Sequence, residues 1–150
     1  MSQRLVIGYG NTLRGDDGVG WHIAAALEAL ALPQLDVTAV HQLTPELAAR
    51  MANADQVVFV DAHHGTVRQP LALEPLQAGA PPPPFSHQLS PQALLQLSQQ
   101  LYGRRPQAWQ LLIPAQAWAY RHGLSAGATA AMDEAMALLL AWIRREAGHA

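Results

Sequence analysis

The chain predicts an α/β protein built as one domain, on three observations: short apolar runs that stop at glycine or aspartate, capped helical stretches between those runs, and a length of 150 residues. A chain of that length buries roughly two-thirds of the surface its unfolded form exposes, enough for a real core. Leu5 to Tyr9 is an apolar run closed by glycine and reads as a buried strand. After Gly18, apolar residues at Val19, Ile23, Ala26, Leu27 and Leu30 recur at helical spacing until Pro33 stops the pattern. Leu35 to Val40 reads as a second strand. Thr44-Pro45-Glu46 is a helix start, with threonine as N-cap and proline in the first helical position, leading into Leu47 to Asn53. Gln56 to Val60 is a buried strand ending at Asp61. Two β-α-β units in succession imply a mostly parallel sheet with right-handed crossovers. Thr66 to Phe85 is rich in proline, ends in Pro81 to Pro84, and reads as a stiff surface excursion. Ser90-Pro91 repeats the cap-then-proline signal and opens a helix through about Leu101. Trp109 to Ile113 is a further strand, and Gly127 to Arg145 a closing amphipathic helix. No internal repeat at solenoid periods is present.

Composition narrows the function classes. Hydrophobic residues make up 50% and charged residues 13%, which excludes a disordered tail. The net charge of -2 and nine scattered basic residues do not form the basic footprint that a phosphate backbone requires, so no nucleic-acid partner is expected. All nine are arginines, which leaves no lysine for a Schiff base or a P-loop. Cysteine is absent, removing disulfides, thiolate nucleophiles and CxxC metal sites together, and this fits a reducing compartment. The first apolar run reaches glycine after three residues, too short for a signal segment, and no apolar run reads as long enough to span a bilayer. A cytoplasmic chain with no membrane partner is the expectation. Trp21, Trp109, Trp118 and Trp142 read as core or edge residues, with Trp118, after a strand end, a candidate to face substrate.

In parallel α/β folds, ligands sit beyond the carboxyl ends of the strands. Three loops there carry reactive side chains: Gly8-Tyr9-Gly10-Asn11 running to Asp16-Asp17-Gly18, Asp61-Ala62-His63-His64-Gly65, and Ser86-His87-Gln88. Gly8 and Gly10 supply half of a dinucleotide fingerprint, but Leu13 stands where the third glycine belongs, and Asp16 and Asp17 would repel a pyrophosphate. Carboxylates attract a cation instead. An Asp, Asp, His set offers two oxygens and one nitrogen, suited to Zn, Ni, Fe or Mn with positions left open. No G-x-S-x-G elbow and no HExxH occurs, so hydrolysis would run through a metal-polarised carbonyl or a metal-activated water. Taken singly, each residue has a plainer role. Asp16 is an N-cap worth about 1 kcal/mol, Asp17 a first-turn charge on the helix dipole, Asp61 a loop cap, and His87, His63 and His64 hydrogen-bonded or solvated histidines. Gly8, Gly10 and Gly20 read as structural, and Asn11 as a turn residue bonding its own backbone.

Gly8-Tyr9-Gly10-Asn11-Thr12-Leu13-Arg14-Gly15-Asp16-Asp17-Gly18-Val19-Gly20 resembles the opening motif of the [NiFe]-hydrogenase maturation endopeptidases. The likeness continues in order at Gln42-Leu43-Thr44-Pro45-Glu46-Leu47, Val58-Phe59-Val60-Asp61-Ala62 and Ser86-His87-Gln88-Leu89, covering most of the chain. The resemblance implies a three-layer α/β/α fold of the phosphorylase/hydrolase-like kind, with a twisted, mostly parallel five-stranded sheet. It also implies an endopeptidase, neither a serine nor a cysteine protease, that removes the C-terminal extension of a hydrogenase large-subunit precursor after nickel insertion. The family's metal-binding acidic residue, aspartate and histidine carry over by position to Asp17, Asp61 and His87, which the resemblance makes both the catalytic and the metal set. Nickel is then cargo recognised in the precursor. The resting metal of the site stays open.

Two departures bear on this. Many members have glutamate where this chain has Asp17, shortening the reach by about 1.5 Å. Many have Asp-Gly-Gly-Thr after the second strand, where this chain reads Val40-His41-Gln42-Leu43-Thr44, a variant that looks like the subgroup serving bidirectional or NAD-linked hydrogenases. The competing function classes are a non-catalytic chaperone or metallochaperone for the same precursor, and a nucleotide-binding module.

Overall fold

Apolar alternation organises the computed structural model, which describes residues 3–63, 70–76, 89–115 and 124–147. Strand β1 (Arg4–Tyr9) is buried from Arg4 to Gly8, and its side chains divide between two cores. Successive strand residues face opposite sides of a sheet. Val6 therefore joins a cluster with Val58, Val60, Leu111 and Ile113 on one face, while Leu5 and Ile7 join Val57 and Phe59 on the other. Helices α1 (Val19–Ala29) and α4 (Ala126–Ala147) cover the first face through Ile23, Leu27, Leu139 and Trp142. Helices α2 (Leu47–Ala52) and α3 (Pro91–Tyr102) cover the second through Met51, Leu94 and Leu95. This is the expected α/β/α arrangement.

The sheet between them has five strands in the order β2-β1-β3-β5-β4. Strands β2 (Leu35–Val40), β1, β3 (Gln56–His63) and β5 (Gln107–Pro114) run parallel, and β4 (Glu74–Pro75) pairs antiparallel to β5. The order places β1 and β3 side by side in the centre, with Gly8 opposite Val60. The loop after β1 and the end of β3 are thereby neighbours.

The structure differs from the sequence reading at several points, among them β5, which runs Gln107–Pro114 where the apolar run predicts Trp109 to Ile113. Strand β3 does not stop at Asp61 but continues to His63, because Asp61, Ala62 and His63 keep their register with Leu112, Ile113 and Pro114. Thr44 is not an N-cap: the chain makes a turn first, with Leu47 N–H donating to the Thr44 carbonyl at 3.1 Å, and the helix opens after Glu46. The Thr44 hydroxyl bonds the Glu46 carboxylate instead. Strand β4 falls inside the expected proline-rich excursion, where two residues give no periodic signal and an edge position tolerates the proline. Residues 66–69 and 77–85 of that excursion lie outside the described ones. Lastly, Ala126–Arg145 within α4 is, by length and composition, apolar enough to cross a bilayer, with mean hydropathy 1.3. Asp133 and Glu134 break the run as read along the sequence, and the helix instead lays Ala128, Ala131, Ala135 and Leu139 on the sheet.

Other expectations hold closely. Ser90 caps α3 by accepting the Ala93 N–H at 3.1 Å, Pro91 takes the first helical position, and Gly103 ends the helix in the left-handed conformation. Trp142 is buried and meets Trp109 edge-on, with ring centroids 6.0 Å apart. The buried Arg4 lies over the Trp142 ring and donates to the Ile143 carbonyl, joining the start of β1 to the last turns of α4. Trp118 lies outside the described residues.

Helix α1 meets the sheet backbone on backbone. A Cβ added at Gly8 would stand 2.1 Å from the Gly20 carbonyl oxygen, and one at Gly20 would stand 2.4 Å from that of Val60. The first turn of α1 thus rests directly on β1 and β3, and a methyl group has no room. Gly20→Ala is expected to destabilise the chain by about 3 kcal/mol, read as a lower urea midpoint at unchanged m-value. An unshifted midpoint would contradict this packing.

Candidate functional site

The loop that leaves β1 is held rigid by its own backbone. The Asn11 side chain accepts the Leu13 N–H at 2.9 Å, as its turn role predicts, and the Arg14 N–H returns to the Asn11 carbonyl at 3.1 Å. A 3-10 turn over Gly15–Gly18 follows, entered by the Asp17 N–H donating to the Arg14 carbonyl at 3.1 Å. Gly10 lets this turn fold back onto the strand end: a Cβ there would lie 1.9 Å from the Asp17 carbonyl oxygen. The result sets one Asp17 carboxylate oxygen 3.0 Å from the Asn11 N–H, which donates to it.

The two adjacent aspartates have opposite fates. Asp16 is 0% exposed and faces away from the loop mouth. Its carboxylate accepts the Ser125 N–H at 2.8 Å and the Ser125 hydroxyl at 2.7 Å, while that hydroxyl accepts the Ala128 N–H at 3.1 Å. Asp16 therefore anchors the start of α4 and does not cap α1, whose cap position is Gly18. Only Asp17 of the pair turns toward open space.

That space is a cavity of about 390 Å³ at the carboxyl ends of the strands, walled by Tyr9, Arg14, Asp17, His41, Asp61 and Leu89 among others. Asp61 enters from β3. Burial, first, and the nearby Asp17 charge push its carboxyl up to about 6, against the pull of hydrogen bonds from the Tyr9 hydroxyl and the Ala62 N–H. Burial and the adjacent Asp61 charge drive the Tyr9 phenol far above its ordinary range, so it stays protonated and donates. Two of the three expected site residues, Asp17 and Asp61, thus share one cavity. His87 lies outside the described residues, as does His64, and Leu89, two positions further along the chain than His87, lines the cavity wall. Among the described residues no group of three His, Asp or Glu side chains stands ready to hold a metal.

His63 ends β3 half-buried and is not part of the cavity wall. Two wall residues escaped the sequence reading. Tyr9 was hidden inside an apolar run, and only its neighbour across the sheet, Asp61, marks it. His41 is exposed at the end of β2 with its ring 6.5 Å from that of Trp21. The signal available for it was its place immediately after a strand end, where ligand loops begin.

The Asp61 carboxyl makes stability depend on pH. With its folded value above the ordinary 3.8, the protonated native form is favoured, so the contribution is full below about pH 4 and is lost as pH rises through about 6. Asp61→Asn removes the loss. The variant is expected to gain stability over the parent between pH 4 and 7, by up to about 3 kcal/mol at neutral pH. Urea titrations at pH 4, 5.5 and 7 check it, and a pH-independent difference would contradict the assigned environment.

No family model matches the chain, and no curated protein sequence matches it significantly. Solved structures do. A hydrogenase maturating endopeptidase, HybD from E. coli, superimposes with a TM-score of 0.75 at 23% identity, covering 96% of this chain and 93% of that one. A [NiFe] hydrogenase maturation protease, HycI from Thermococcus kodakarensis KOD1, gives 0.72 at 20% identity over 92% and 90% of the two chains. HybD from Thermococcus kodakarensis gives 0.72 at 19%, over 93% and 98%. With nearly full coverage of both partners in every pair, the chain has the fold of the [NiFe]-hydrogenase maturation proteases.

Proposed function

We propose that this chain is an endopeptidase that removes the C-terminal extension of a [NiFe]-hydrogenase large-subunit precursor after nickel insertion, with Asp17, Asp61 and His87 as its metal-binding and catalytic set. The observation that carries the reading is the meeting of Asp17 and Asp61, from the loop after β1 and the end of β3, in one cavity of a fold shared with named maturation proteases. The donor set suits a divalent cation. Asp61 is raised by burial and by the charge of Asp17, and a cation beside these carboxylates would favour the ionised form of Asp61. A metal bound there supplies Lewis-acid polarisation of the scissile carbonyl or marks the loaded precursor.

The chain's own groups do the rest. The Asn11 N–H holds the Asp17 carboxylate toward the cavity, and Tyr9 and the Ala62 N–H hold that of Asp61. Tyr9 remains a donor throughout, and Asp61, raised to about 6, is a group able to take or release a proton near neutral pH. Asp17 is shorter than the glutamate common in the family by about 1.5 Å, so the loop backbone must bring it closer, and the Gly10 contact supports that approach. The cysteine-free composition supports a cytoplasmic setting.

Nickel-loaded and nickel-free precursor, each incubated with the chain and weighed by mass spectrometry, test the reading. Shortening of the loaded precursor alone is expected, with Asp17→Asn and His87→Ala each slower by about 100-fold or more. Shortening without nickel, or untouched by Asp17→Asn, would overturn the mechanism. Tight binding with no shortening would make the chain a chaperone for the precursor instead.

A further inference from the structure

Strands β1 and β3 run in parallel register through Gly8 and Val60, so the next residues, Tyr9 and Asp61, stand side by side on one face of the sheet. The Tyr9 ring packs against the core formed by Leu5, Ile7 and Phe59, and its hydroxyl meets the Asp61 carboxylate at the cavity wall. A ring gripped by core side chains has little freedom, and its hydroxyl therefore defines where one carboxylate oxygen sits. A carboxylate has two oxygens, and an ionised one only accepts. The Tyr9 hydroxyl, with the Ala62 N–H, therefore fixes how the Asp61 carboxylate presents its remaining lone pairs to the cavity. Asp17, by contrast, is steadied only by a backbone N–H.

Resting on the metal-site reading above, we infer that Tyr9 is a positioning residue: its hydroxyl, held by the core-packed ring, fixes the orientation in which the Asp61 carboxylate meets a divalent cation. Tyr9 itself does not touch the cation. It fixes the carboxylate's orientation through the hydroxyl, while the Ala62 N–H steadies the same carboxylate from the backbone. Partners of this kind behind a metal ligand commonly change affinity 10–100-fold when removed.

Cobalt(II) chloride is the probe, titrated into the whole chain and read by visible absorption. The wild type is expected to bind it. Tyr9→Phe, which deletes only the hydroxyl, is expected to bind 10–100-fold more weakly with an altered ligand-field band, as Asp61 loses its fixed orientation. Placed in an Asp61→Asn background, Tyr9→Phe is expected to cost nothing further, the mark of a residue acting through Asp61. Equal affinity and an unchanged band in Tyr9→Phe, or the same loss with Asp61→Asn already present, would overturn the role of Tyr9 while leaving the metal site standing. A wild type that binds no cobalt would overturn the metal site itself and this role with it. Should Tyr9→Phe fail to fold, the wild type labelled with 3-fluorotyrosine decides: zinc chloride must move one of the signals from the three tyrosines, and no movement overturns the proposal.

Discussion

The contact between Gly8 on β1 and Gly20 in the first turn of α1 is the constraint on which the rest of the site depends. With no side chain at either position, the helix begins directly against the sheet, close enough that its backbone meets both β1 and the Val60 carbonyl of β3. A helix standing a normal side-chain distance away would carry the loop before it outward by the same amount. Asp17, one turn before Gly20, would then leave the carboxyl end of the sheet, and no choice of side chain at that position would compensate. Close packing therefore precedes chemistry here: the glycines are what let a short acidic side chain face the cavity.

The electrostatic design follows from where each charge is allowed to sit. Asp16 is buried and receives two hydrogen bonds from Ser125, which converts a charge into an anchor between the site loop and α4. Asp17 and Asp61 are left facing the same cavity, with the Arg14 guanidinium on the wall beside them. Burial, with the Asp17 charge beside it, favours protonation of Asp61. A cavity of this kind is costly to keep when empty of charge and well suited to a cation, which is the physical reason the proposed function runs through a metal and not through a nucleophile.

The sheet order explains why residues distant in sequence meet. With β1 and β3 adjacent at the centre, the loop after one and the end of the other share an opening, and the start of α3 at Leu89 borders it as well. Solved structures share the fold with about one residue in five identical, which is the expected result when a fold is held by alternating apolar faces rather than by particular side chains.

Much of this was legible in the chain. Alternation and apolar runs located β1, β2, the four helices and the parallel sense of the sheet, since strand and helix periods are local properties of the residues themselves. Asp17 and Asp61 could be singled out because one lies in the loop after β1 and the other closes the apolar run of β3. Other features are decided only by what touches what. The sequence shows Asp16 and Asp17 as equals, and nothing in their neighbours says that one is consumed by Ser125, 109 positions away, while the other faces solvent. Tyr9 looks like one more apolar strand residue until β3 brings Asp61 beside it, and β3 outlasts its apolar run because β5 continues to pair with it. Periodicity is written in the order of residues, so the sequence by itself determined the layers and the ends of the sheet where a site would form. Partnership between side chains depends on distances that exist only after the strands align, so the roles of Asp16, Asp61 and Tyr9 were decided by the tertiary structure.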